Sequence, residues 1–153
     1  MHVVAVVGLA ALVAAAAAQA HTLIASGNVY DAGKQCVHNF TIQSHEHNSV
    51  QVQSLTDNIS PIDFPKMACG FKHPRPNGYL AGRWESFKWG PNVGAWILCG
   101  SMGWDYGGGW TFTVGRPTTG CGAGWYALAG YSYVYNGGWL GGGLATDYDW
   151  LWG

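Results

Sequence analysis

Hydrophobic and polar positions alternate with period two in several short runs of this chain, and no helical period survives beyond residue 20. Trp110-Thr111-Phe112-Thr113-Val114 alternates cleanly, as does Tyr131-Ser132-Tyr133-Val134-Tyr135. Successive side chains of a strand point to opposite faces, so each run reads as a strand with one apolar face. Residues 37–43 place His38, Phe40 and Ile42 on a common face, which marks His38 as a core or edge histidine. Residues 50–55 place Val50 and Val52 together in the same way. Gly, Asn and Pro interrupt every candidate helical window and bound these runs, as turns between strands do. The pattern predicts an all-β domain, most simply a sandwich, with an irregular Gly/Trp-rich C-terminal half.

The first twenty residues follow a different rule. Residues 1–20 are built almost wholly of Ala, Val and Leu, carry no charge and end in Ala18-Gln19-Ala20. That ending is the small-x-small site at which signal peptidase cuts, although His2 stands where a basic residue is usual. A transmembrane anchor is the alternative, but the stretch is short, rich in Ala and lacks a basic stop-transfer flank. The expectation is a signal peptide over 1–20, a secreted extracellular protein, and a single domain over 21–153.

Length and charge narrow the partners. A chain of 153 residues and 16.4 kDa holds one domain. A net charge of −1 leaves no basic footprint for nucleic acid and no polybasic patch for a membrane. All nine Trp lie from Trp84 onward, together with most of the Gly, whereas His ends at His73 and Lys at Lys88. Three readings of this tail compete: an aromatic β-domain with glycine turns, an exposed aromatic surface for stacking on sugar rings, or a shifted reading frame. Its poverty in Leu, Ile and Val predicts a poorly packed core. Cys36, Cys69, Cys99 and Cys121 are expected to form two disulfides in an extracellular chain, and three pairings are open. Asn39-Phe40-Thr41 and Asn58-Ile59-Ser60 fit the glycosylation acceptor pattern.

Cleavage after Ala20 would give His21 a free α-amine. One residue then offers two nitrogen donors, and a further imidazole would complete a tetragonal nitrogen set suited to Cu(II). His73, the last histidine, is the second ligand expected. His45-Glu46-His47 offers a rival pair at i and i+2, with Asp57 or Asp63 as a third ligand. The composition around it reads more readily as a polar turn before Asn48-Ser49. Other catalytic templates fail: Glu46 and Glu85 are the only glutamates, and neither a Gly-x-Ser-x-Gly elbow nor a phosphate loop occurs.

His21-Thr22-Leu23 directly after an A-x-A site resembles the start of fungal lytic polysaccharide monooxygenases of auxiliary-activity family nine. Cys36-Val37, Asn48-Ser49-Val50, Ser54-Leu55-Thr56-Asp57 and Met67-Ala68-Cys69-Gly70 follow in the family's order, so the resemblance covers residues 21–70. It implies an immunoglobulin-like or fibronectin-like sandwich and a monomeric copper enzyme that cleaves cellulose or related β-glucans oxidatively with an external electron donor. His21 carries over as the first copper ligand and catalytic centre, and Cys69 as a disulfide cysteine. The family's second copper histidine stands in a Ser-His-x-Gly-Pro setting that this chain lacks. Its axial tyrosine has no aligned counterpart, only the choice of Tyr126, Tyr131, Tyr133 and Tyr135. The alternative function is a non-catalytic carbohydrate-binding or cell-wall protein that stacks sugars on the Trp and Tyr of the second half.

Overall fold

A computed structural model describes residues 22–32, 35–44, 47–57, 69–117 and 121–151, with 54–57 and 69–72 as backbone. Strand follows strand throughout: β1 (Leu23–Ala32), β2 (Gln35–Gln43), β3 (His47–Asp57), β4 (Cys69–Lys72), β5 (Arg75–Gly90), β6 (Ala95–Gly109), β7 (Thr111–Pro117), β8 (Gly124–Tyr135), β9 (Trp139–Ala145) and β10 (Asp149–Leu151). They form two five-stranded antiparallel sheets. The first runs β1-β2-β3-β4, with β7 also on β3. The second runs β10-β8-β5-β6, with β9 also on β8.

The sheets pack face to face through two groups of inward side chains. Val37 and Val52 of the first sheet meet Leu80 and Val134 of the second. Val50 and Val114 meet Trp84 and Leu128. The two sheets are joined by chain segments that cross from one to the other. His73-Pro74 carries β4 into β5, and Trp110 carries β6 into β7. Proline has no N–H for a ladder, which suits Pro74 to the corner. The pairing of β5 with β6 jumps from Arg75↔Gly109 to Leu80↔Gly107, so residues 76–79 bulge out at the same corner.

The alternation predicted over 37–43 is present, but its faces are exchanged. Val37, Asn39, Thr41 and Gln43 point inward and are fully buried, whereas His38, Phe40 and Ile42 are half-buried on the outer face. The reason is a seam of hydrogen bonds between the sheets. Asn39 Nδ2 donates to Gly130 O at 3.1 Å and to Ser132 Oγ at 2.9 Å. Thr41 Oγ1 donates to Asn39 Oδ1 at 2.6 Å, and Gln43 Nε2 donates to Ser86 Oγ at 2.8 Å. Buried polar groups are tolerated when they are paired in this way. Outside, His38 Nδ1 donates to Asn28 Oδ1 at 2.8 Å, and its Nε2 lies 2.9 Å from Ser26 Oγ.

The C-terminal half is regular, contrary to expectation. It supplies most of the second sheet and lends β7 to the first. It is not poorly packed either: Val114, Tyr126, Leu128, Val134 and Leu151 are all buried. Few aliphatic residues suffice because strict alternation on β8 sends Leu128 and Val134 inward and keeps every ring of that strand but Tyr126 on the other face.

Candidate functional site

Alternation along β8 buries Tyr126, Leu128, Gly130, Ser132 and Val134 and turns Trp125, Ala127, Ala129, Tyr131, Tyr133 and Tyr135 outward. The antiparallel register then sets these residues in rows across the outer face of the second sheet. Tyr106, Ala81, Tyr133 and Gly141 form one row, and Arg83, Tyr131 and Gly143 the next. Glu85, Ala129 and Ala145 follow, then Leu98, Phe87 and Ala127. Trp89 opposite Trp96 and Trp125 opposite Trp150 close the far end.

The first rows enclose a cleft of about 240 Å³ lined by Trp104, Tyr106, Tyr133 and Trp139, with Ala81 beneath. Edge-to-face contacts hold these rings at fixed angles: Trp104 lies 5.3 Å from Tyr133 and Trp139 lies 5.5 Å from Tyr135. Trp139 also meets Tyr106 at 5.8 Å. Such contacts add about 0.5–1.5 kcal/mol per pair beyond burial, so the rings are preorganised even where their faces are open. Trp104 is 42 % exposed and Trp139 45 %, so each presents part of its ring to solvent. Gly143 belongs to the same construction. A Cβ there would stand 2.8 Å from the Tyr131 ring, so Tyr131 lies against bare backbone.

One charged pair accompanies the cleft. The Arg83 guanidinium stands 4.6 Å from the Tyr131 ring centre and 5.2 Å from that of Trp104. It donates to Glu85 Oε1 at 2.6 Å, while Tyr131 OH donates to Glu85 Oε2 at 3.2 Å. The pair neutralises itself and leaves several hydrogen-bonding atoms beside flat aromatic walls. A neutral, polyhydroxylated ring with an apolar flat side matches this chemistry.

The histidines are placed otherwise. His21, His45 and Glu46 lie outside the described residues, as do Asn58 and Asp63, and the Asp57 carboxylate is likewise undescribed. His73 is half-buried at the corner before β5. Burial, and then the charge of Arg75, lower its pKa below the usual histidine value, and its Nδ1 is buried with no hydrogen-bond partner. It stands far from the start of β1. Leu23 pairs with Gln43 and Gln43 with Asn48, whereas Lys72 pairs with Leu55, seven residues further along β3. At about 3.3 Å per residue that separates the two ends by roughly 23 Å. Residue 21 is two peptide units before Leu23, a reach of at most about 7 Å for the backbone. The pairing thus sets His73 well along the sheet from Leu23, and His21 itself lies outside the described residues. His47 stands at the same end as Leu23, exposed, with its ring over Gly115. Among the described residues no group of three or more His, Cys, Asp or Glu could hold a metal ion.

The tyrosines weighed as an axial ligand divide between the faces. Tyr126 points inward, donates from its hydroxyl to Gly122 O at 2.6 Å, and is raised in pKa by burial. Tyr131, Tyr133 and Tyr135 belong to the aromatic face. Cys99 and Cys121 form a disulfide, and Cys36 is also disulfide-bonded. Asn39 is fully buried and its amide bridges the sheets, so a glycan there would need that amide outside the sandwich.

Alternation at 131–135 and the crowding of Trp and Tyr into the second half were the sequence signals for this face. Arg83, Glu85, Trp104, Tyr106 and Trp139 lie in stretches whose glycines hide the period, and only strand register gathers them. No protein-family model, curated protein or solved structure matches this chain.

Proposed function

We propose that the outer face of the second sheet binds carbohydrate by stacking sugar rings on Trp104, Tyr106, Tyr133 and Trp139. The single observation that carries this reading is the cleft of about 240 Å³ whose walls are three exposed rings and the half-buried Tyr133 ring on an alanine floor. Its volume lies below the roughly 300–1,000 Å³ of enclosed small-molecule sites, which suits a ring laid on a surface rather than swallowed. The C–H side of a pyranose meets the negative face of each aromatic ring, and Glu85, Arg83 and Tyr131 meet its hydroxyls. The protein acts as a secreted carbohydrate-binding or cell-wall protein. Two facing antiparallel sheets joined at corners support an immunoglobulin-like frame for it. Calorimetric titration with soluble β-glucan oligosaccharides tests the reading. Trp104→Ala and Trp139→Ala should each cost about 1–2 kcal/mol of binding with the circular dichroism unchanged. Wild-type affinity in both variants would remove the site.

The copper reading has its own support in His21 after Ala18-Gln19-Ala20 and in His47 at the end of the sheet where β1 starts. Bound copper would supply the redox chemistry for oxidative glycan cleavage. Cu(II) titration followed by electron paramagnetic resonance decides it, on protein that begins at His21. An added N-terminal Gly should weaken binding by orders of magnitude, because it converts the amine into an amide. Undiminished affinity in the extended protein would end this reading.

A further inference from the structure

Five aromatic residues form a second cluster at the opposite end of the same sheet face. Trp89 lies 5.5 Å from Trp96, Trp96 6.1 Å from Tyr148, and Tyr148 5.9 Å from Trp125, which lies 5.8 Å from Trp150. Trp89, Trp96, Trp125 and Tyr148 line a second open cleft of about 370 Å³. The ground between the two clusters is low. Ala127, Ala129 and Ala145 floor a shallow groove that also touches Phe87, Trp96 and Tyr148. From Ala129 the row leads directly to Glu85, and Glu85 receives the Tyr131 hydroxyl at the edge of the first cluster.

We infer that the two clusters and the alanine groove form one extended track for a neutral polysaccharide chain, with an aromatic subsite at each end. The inference rests on the carbohydrate reading of the first cleft. Three features commit the occupant. The rows carry only one charged pair, Arg83 with Glu85, which are joined at 2.6 Å and so present no net charge to a polymer. Tyr133 and Trp125 are eight residues apart on one strand, a span of roughly 26 Å at 3.3 Å per residue, too long for a mono- or disaccharide. The residues between them on the outward face of β8 are alanines apart from Tyr131, so a linear chain can lie along the strand.

The test is a length series of β-glucan oligosaccharides against the full chain, by calorimetry. Linking two weak subsites through one ligand raises affinity by about 100-fold or more. The hexasaccharide should therefore bind at least about 100-fold more tightly than the disaccharide. Trp96→Ala combined with Trp125→Ala should erase this gain and leave the disaccharide affinity at the first cleft unchanged. Disaccharide binding with no increase along the series would overturn the track and leave the first cleft standing. Absence of binding at every length would overturn both. Capture of the second cluster by neutral phosphatidylcholine vesicles, or concentration-dependent dimerisation abolished by the double variant, would also overturn the track by assigning that end a different occupant.

Discussion

Gly130 stands on β8 where the sheets approach closely, and a Cβ there would overlap Thr41 Oγ1 of the facing sheet. Overpacking of this kind costs about 1–3 kcal/mol, so Gly130→Ala should lower the urea midpoint accordingly. Asn39→Ala should be at least as harmful, by about 2–3 kcal/mol, because it strands Thr41 and the Gly130 carbonyl without their partner. His38 supplies a pH dependence. Burial lowers its pKa, so the unfolded chain takes up the proton first as the medium is acidified. Its contribution is whole above the ordinary histidine value of about 6.5 and is lost as pH falls through the lower folded value. His73, lowered in the same direction, adds to it. Replacement of His38 by Gln should flatten the acid limb of a stability–pH curve measured by chemical denaturation. An unchanged limb would mean that His38 ionises alike in both states. None of this was legible from residues 37–43 alone. Period two defines two faces, and His38, Phe40 and Ile42 pointed to the wrong one because the Asn39 and Gln43 amides find their hydrogen bonds across the sandwich.

At the level of elements, β6 and β7 form one long excursion that leaves the second sheet, turns at Trp110 and returns to the first. The Cys99–Cys121 disulfide ties its start to the segment just before β8, 22 residues on. Closing a loop of that size in the unfolded chain is worth about 3 kcal/mol, so the Cys99→Ser, Cys121→Ser double variant should lose about that much stability by urea titration. The even count of cysteines announced disulfides without choosing partners, since pairing depends on which strands become neighbours. Strand alternation at 131–135 was readable because no glycine interrupts it. β9, Trp139–Ala145, was not: three consecutive glycines carry no hydrophobic signal, and the strand exists through its pairing with β8.

For the whole molecule, the distribution of charge decides how binding should respond to salt. A net charge of −1 and a self-paired Arg83–Glu85 leave no long-range field for a ligand to follow. Retention on insoluble β-glucan should accordingly stay constant between about 0.05 M and about 1 M NaCl, whereas an electrostatic contact would be screened over that range. Steep salt sensitivity in a pull-down would contradict stacking as the source of affinity. What the amino-acid order determined by itself is local: the apolar composition of the first twenty residues, the strand period, the turns at Gly, Asn and Pro, and the concentration of Trp in the second half. Those follow from neighbours along the chain, where backbone geometry and side-chain alternation act directly. Tertiary structure alone decided which face of β2 is buried, that the Gly/Trp-rich half is ordered sheet, that His73 is remote from the start of β1, and that rings from β6, β8 and β9 share one surface. Each of these depends on register and on the partner sheet, and the free energy that selects them arises only when distant segments bury surface and hydrogen-bond together.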